Sequence, residues 1–296
     1  MRAGVRTNAS FVVAALCHVA CAGEQRPARS LVSRVATPDT ALAIGVQLQA
    51  ATDVERGGDG SLSSPKVVPA ATDGVAGTVN LDAVVALSNN RGVVCTGSVV
   101  HRHFVLTAQH CLPVAEVLLS GADGSVRQRV PVIGEWLPNV RLDLALVRVG
   151  RALDAPPLRL SHGSDSFPKQ VWIAGFGTTD PRVFRVSGVR HTWRTTLRDW
   201  GCDWGRSKLI GCSPDAELVL PREGGLDTCF GDSGGPVLEL SEKGWAIIAV
   251  TSRSVRSALL TCGDGGVYVR TDRVAAVLEN YLTRAERGSR RNIRHP

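Results

Sequence analysis

The ten residues Asp227-Thr-Cys-Phe-Gly-Asp-Ser-Gly-Gly-Pro236 constrain this chain more than any other stretch. Gly231, Gly234, Gly235 and Pro236 surround Ser233 so closely that the run can neither continue a helix nor pair well as a strand. With three side chains missing, the backbone can turn sharply and bring neighbouring N–H groups to one point. A serine hydroxyl held there can attack a carbonyl while the amides of Gly231 and Ser233 receive the developing oxyanion. The same letters also suit an ordinary surface turn. A nucleophilic serine further needs a base, and the base needs an orienting group.

Two upstream stretches supply them. Thr107-Ala-Gln-His-Cys111 follows the apolar run Phe104-Val-Leu, and Leu142-Asp-Leu-Ala-Leu146 sets one carboxylate inside an apolar strand. Taken singly, His110 reads as a core histidine and Asp143 as a strand-end charge. In the order His, Asp, Ser they match a known catalytic template. On these three motifs the chain resembles the chymotrypsin/trypsin family of serine endopeptidases, from about Val67 to Arg284. The resemblance implies an all-β fold of two six-stranded antiparallel barrels with the active site between them and a C-terminal helix. It also implies peptide hydrolysis through an acyl-enzyme, without metal or organic cofactor. Ser233 is then the nucleophile, His110 the general base and acid, and Asp143 the group that fixes the imidazole. The amides of Gly231 and Ser233 form the oxyanion hole.

Met1 to Ala22 has a basic start, an apolar run from Phe11 to Ala20 and a small-residue cleavage site at Ala20-Cys-Ala22, so it reads as a secretory signal. Acylation of Cys21 after cleavage is the alternative, giving a lipid-anchored rather than a freely secreted protein. Residues 23–66 are polar and breaker-rich, as in Arg56-Gly-Gly-Asp-Gly-Ser, and read as a linker or pro-segment. Residues 67–287 form the expected protease domain and 288–296 a disordered basic tail. The net charge of +7 gathers at the ends: Arg2 and Arg6 at one, and five Arg against Glu286 between Arg284 and Pro296 at the other. A nearly neutral centre speaks against nucleic acid as a partner. The apolar content of 44% includes no stretch of about eighteen uninterrupted apolar residues, so no transmembrane helix is expected.

Short valine-rich runs recur through the centre. Residues 83–87, 93–100, 104–106, 130–133 and 144–149 form one group of expected strands. Residues 171–174, 183–186, 218–220, 237–240, 245–251 and 267–269 form a second. One helix is expected over Thr271–Arg287, where Val274, Val277, Leu278, Tyr281, Leu282 and Ala285 recur at three- and four-residue intervals. Its expected place is one end of the second barrel, with Thr271 or Asp272 as cap.

Beyond the signal there are six cysteines, and residue spacing alone allows fifteen connectivities. The family pattern implies Cys95–Cys111, Cys202–Cys212 and Cys229–Cys262. Closing the first of these loops contributes roughly 3 kcal/mol in the chain-entropy model. A zinc site is a poor rival, since there is no Cys-x-x-Cys and no Cys/His cluster in the sequence.

The resemblance also places Asp227 at the base of the primary specificity pocket, with Gly266 on one wall and Ser252 and Ser254 on the other. It implies cleavage after Arg or Lys. Arg253 and Ser254 stand where the family usually has tryptophan and glycine, and Arg253 is expected either to attract acidic groups or to repel a basic substrate. Cleavage after Lys66 would expose Val67 as a new amino terminus to pair with Asp232, as in zymogen activation; otherwise Asp232 finds another partner. The expected partners are protein or peptide substrates and a proteinaceous inhibitor, and the chain is expected to be a monomer. The alternative function is that of a catalytically weak homologue acting as a secreted binding or adaptor module.

Overall fold

In the computed structural model the described residues are 81–121, 124–138, 141–163, 166, 169–179, 186, 188–220, 228–260 and 262–293, with side chains described as far as 287. All of them belong to one compact unit, Gly60–Pro296. The valine-rich runs are extended, as expected where branched Cβ atoms favour the pleated backbone. Strands β1 (Val84–Asn89), β2 (Gly92–His101), β3 (Phe104–Thr107), β4 (Glu116–Ser120), β5 (Val126–Trp136) and β6 (Ala145–Val149) pair antiparallel. They close into a barrel in the order β1-β2-β3-β6-β5-β4, with the ladder between β1 and β4 sealing it. Closure removes the free strand edges of this sheet. Val84, Leu87, Val105, Leu106, Leu144 and Leu146 fill its core.

The second sheet comprises β7 (Arg159–Leu160), β8 (Lys169–Gly175), β9 (His191–Leu197), β10 (Glu217–Leu220), β11 (Pro236–Ser241), β12 (Gly244–Ser254) and β13 (Gly266–Arg270). Six of these strands follow the order β10-β13-β12-β11-β8-β9, and β7 adds in parallel to β12. The Val219 N–H of β10 donates to the Trp200 carbonyl just past β9 at 2.8 Å, so the two end strands are drawn together. The molecule is therefore an all-β pair of six-stranded, barrel-like sheets, with a short helix α1 (Ser207–Ile210) and a C-terminal helix α2 (Ala275–Ile293).

Several details differ from the expectation. β4, β7 and β9 were not anticipated, and the expected strand at 183–186 lies, but for Val186, outside the described residues. Helix α2 starts at Ala275; Thr271 leads into it, its carbonyl accepting from Val274 and Ala275 while its hydroxyl donates to the Ile247 carbonyl instead of capping the helix. The helix continues to Ile293, past the boundary expected at 288. It also packs on the first barrel, while Glu279 meets His162 just past β7 of the second sheet. The Tyr281 ring stacks on Trp136 of β5, with centroids 4.0 Å apart, and meets the edge of Phe104 of β3. His101 of β2 adds a 2.8 Å contact to Glu286. The apolar stripe of the helix was legible in sequence, but the surface it covers depends on aromatic partners more than a hundred residues away.

The three disulfides are Cys95–Cys111, Cys202–Cys212 and Cys229–Cys262. The first ties β2 to the turn that carries His110.

Candidate active site

His110 sits in a single 3-10 turn, Gln109–Cys111, entered from β3 through Ala108 in extended conformation. Asp143 lies two residues before β6, separated from it by the buried Leu144. β3 and β6 pair directly, Thr107 opposite Ala145, so the residues just beyond that ladder meet. Asp143 Oδ1 accepts the His110 backbone N–H at 3.0 Å, and Oδ2 lies 2.8 Å from His110 Nδ1. Oδ2 also accepts the Ser252 hydroxyl at 2.6 Å. Burial pushes the Asp143 carboxyl up, but the bonds from the His110 ring, Ser252 and the His110 amide outweigh it and hold the group below its ordinary value. A charged carboxylate against Nδ1 favours the tautomer with its proton there, which leaves Nε2 as the basic nitrogen.

Ser252, expected on the wall of the substrate pocket, thus also holds the carboxylate that faces His110. Its oxygen also accepts from Arg253 Nη1 at 3.1 Å, which directs its own proton toward Asp143. Arg253 in turn grips Glu217 with two bonds of 2.7 and 2.8 Å and donates to the Gly211 carbonyl. The Glu217 carboxylate raises the Arg253 guanidinium above its ordinary value. The charge of Arg253 is therefore compensated by Glu217, instead of standing free to attract or repel substrate. Ser254 is exposed and pairs with the buried Gly266 across the β12–β13 ladder.

Ser233 arrives from the second sheet on the turn before β11, half-buried. Gly231 and Gly234 take φ of +102° and +81°, values that only glycine adopts readily. A side chain at Gly234 would also collide with Thr107, Thr96 and Ala108, the strands that deliver His110. Gly234→Ala is accordingly expected to cost about 2–4 kcal/mol, overpacking and backbone strain together. A melting temperature unchanged in that variant would contradict the reading.

A second residue that joins the two sheets here, beside Ser252, is Thr96 of β2, which sequence reasoning passed over as one of several strand threonines. Its N–H donates to the Ser233 carbonyl at 2.8 Å and its hydroxyl to the Gly231 carbonyl at 2.9 Å. It also accepts from the Phe176 N–H and, at its carbonyl, from Thr107. The turn carrying Ser233 is thereby fastened to the strand beside the histidine. Among the described residues no hydrogen bond joins Ser233 Oγ to the His110 ring. Such bonds commonly tighten only when substrate binds.

Asp232 is fully buried. Its carboxylate accepts the N–H groups of Gly177 and Cys229, each at 2.8 Å, and Oδ1 lies 3.6 Å from His191 Nε2. Gly175 and Gly177 press against it so closely that neither position could carry a side chain. Asp227 and Val67 lie outside the described residues. Cys95, His110 and Cys111 lie close enough to suggest a metal cluster, but the two sulfurs are bonded to each other.

The family model described as Trypsin matches residues 74–278. Among curated relatives, the venom plasminogen activator Haly-PA of Gloydius brevicauda is 27% identical over 176 residues, covering 53% of this chain and 67% of that protein. A trypsin-like protease of Streptomyces glaucescens is 28% identical over the same length, covering 53% of this chain and 64% of its own. The snake venom serine protease CL2 of Trimeresurus stejnegeri is 24% identical over 219 residues, covering 68% of this chain and 84% of its own. In fold the chain is similar to neuropsin, a serine protease of mouse brain, with a TM-score of 0.57 at 20% identity over 68% of this chain and 94% of the other. With its family model, its two barrels and its three disulfides in agreement, the chain belongs to the trypsin family of serine endopeptidases.

Proposed function

We propose that Ser233, His110 and Asp143 form the catalytic triad of a secreted endopeptidase that cleaves proteins or peptides after Arg or Lys. The observation that carries the reading is the hydrogen-bonded array Ser252–Asp143–His110 beside a glycine-flanked serine at the junction of the two sheets. His110 takes the Ser233 proton as the hydroxyl attacks the scissile carbonyl, then returns it to the leaving amine. The amides of Gly231 and Ser233 receive the oxyanion. Water attacks the resulting acyl-enzyme by the reverse sequence of proton transfers and frees Ser233.

Secretion is supported by the signal-like residues 1–22 and by relatives that are venom proteins. No helix among the described residues is long and apolar enough to cross a membrane.

Preference for Arg or Lys rests on Asp227, six residues before Ser233. A carboxylate at the base of an apolar slot is costly unless a cation meets it, so a cationic substrate side chain is its natural complement. A panel of fluorogenic peptides differing only at the residue before the cleaved bond tests both activity and preference. Arg and Lys substrates are expected to lead, and Asp227→Ser to lower their kcat/KM by about a hundredfold or more while sparing apolar ones. Faster turnover of Phe, Leu or Ala substrates by the unaltered protein would overturn the pocket assignment. No cleavage of any peptide would favour the adaptor reading.

A further inference from the structure

Asp232 neighbours the nucleophile, has no contact with solvent and would be a poor tenant of the interior without a cation or strong donors. Two backbone N–H groups meet it, from Gly177 and Cys229. Among the described residues one ionisable side chain comes within ion-pair reach, that of His191 on β9. The His191 side chain is itself only 7% exposed, and its Nε2 is buried without a hydrogen-bond partner. The 3.6 Å between Nε2 and Asp232 Oδ1 is slightly too long for a hydrogen bond, and a movement of a few tenths of an ångström would make one. A buried ring nitrogen that carries its proton toward a buried carboxylate at this distance gains more from meeting it than from staying apart.

The backbone explains why they face each other. His191 pairs with Gly175 across the β8–β9 ladder, and Gly175 and Gly177 leave open the space into which the Asp232 carboxylate projects. The His191 ring stacks at 5.8 Å on Trp193 of its own strand, which limits its rotation. The charged group facing it among the described residues is Asp232.

We propose that His191 is the internal partner of Asp232 and a positioning residue for the oxyanion hole. Its Nε2–H anchors the carboxylate from below. The carboxylate fastens the Cys229 N–H, and the Asp232 N–H donates to the Cys229 carbonyl at 3.0 Å, so residues 229–233 are held as one closed turn. Gly231 and Ser233 flank Asp232, and their amides keep their direction only while that turn is closed. A chain that satisfies Asp232 in this way does not need a newly cut terminus at Val67 to order its oxyanion hole.

This inference rests on the protease reading, so its test has one readout that depends on activity and one that does not. The full chain is compared with His191→Leu, which removes the donor, and with His191→Gln, whose amide nitrogen reaches about as far as Nε2. In steady-state cleavage of an Arg peptide, His191→Leu is expected to lower kcat by about tenfold or more with KM changed little, since the oxyanion exists only past the ground state. His191→Gln is expected to recover most of the loss. In native-state hydrogen exchange, the amides of residues 229–233 should lose protection in His191→Leu and regain it in His191→Gln, whether or not the protein cleaves peptides. Full activity and unchanged exchange in His191→Leu would overturn the proposal. Equal loss in both variants would also overturn it, by showing that shape rather than the donor matters. If a terminus at Val67 were the true partner, Lys66→Ala would abolish activity and His191→Leu would spare it. An unaltered protein without activity would defeat the protease reading, while the exchange result would still decide the role of His191.

Discussion

Replacing Ser233 with alanine is expected to lower kcat at least about a thousandfold, and His110→Ala to lower it by a similar factor. The two act as one unit, because the hydroxyl attacks only as its proton leaves for Nε2. The double variant should therefore be little slower than either single one, and this non-additivity is the sharper part of the expectation. Both residues lie at the mouth of the site and not in the core, His110 with nearly half of its side chain exposed, so the melting temperature should hardly move. Residual catalysis above water is expected in each variant from the oxyanion donors and substrate binding. Steady-state kinetics with thermal melting checks all of this. Retention of most activity by either single variant would remove the triad from the account.

Asp143→Asn is expected to cost about 10⁴-fold in kcat at neutral pH with little change in KM, the magnitude known for this constellation elsewhere. The hydrogen bonds explain why so small a change matters. Asp143 receives three donors: the His110 N–H on Oδ1, and the His110 ring and the Ser252 hydroxyl on Oδ2. An amide offers one acceptor and one NH₂. With the NH₂ toward the ring, Nδ1 must accept, the proton moves to Nε2, and the base can no longer take a proton from Ser233. With the NH₂ reversed, it confronts the His110 backbone N–H, donor against donor. Substitution by alanine would be less informative, since it also opens a cavity. Kinetics of Asp143→Asn within tenfold of the unaltered enzyme would show that the histidine is oriented by something else.

The parts of this site legible in sequence share one property: their signal is local. His110 and Asp143 each stand beside a buried strand, and Ser233 carries its glycines with it. Thr96, Ser252 and His191 do their work across long separations, with Thr96 bonded to a carbonyl 135 residues away. Nothing in the letters around them marks which threonine, serine or histidine will meet the site. The strands divide in the same way. Ala83-Val-Val-Ala-Leu87 is apolar enough to declare itself, whereas β9, His-Thr-Trp-Arg-Thr-Thr-Leu, is half-buried and polar at alternate positions that no core fills. Glu116–Ser120 is short, and its apolar letters alone do not distinguish a strand from a buried turn of helix. Arg253 stands where the family usually has tryptophan, and its clamp on Glu217 depends on β10, which is distant in sequence.

The double attachment of Thr96 to Ser233 and Gly231 has a consequence for the life of the chain before it is finished. Histidine and aspartate belong to one sheet and serine to the other, and two of the bonds that hold the serine turn come from the first sheet. A nascent chain with one sheet formed thus carries no complete reactive centre, however well that half has folded. On the proposed triad, proteolysis requires both halves to be docked. A protein able to cut polypeptides gains from this order of events, because its own unfolded copies are the nearest and most vulnerable substrates while it is being made.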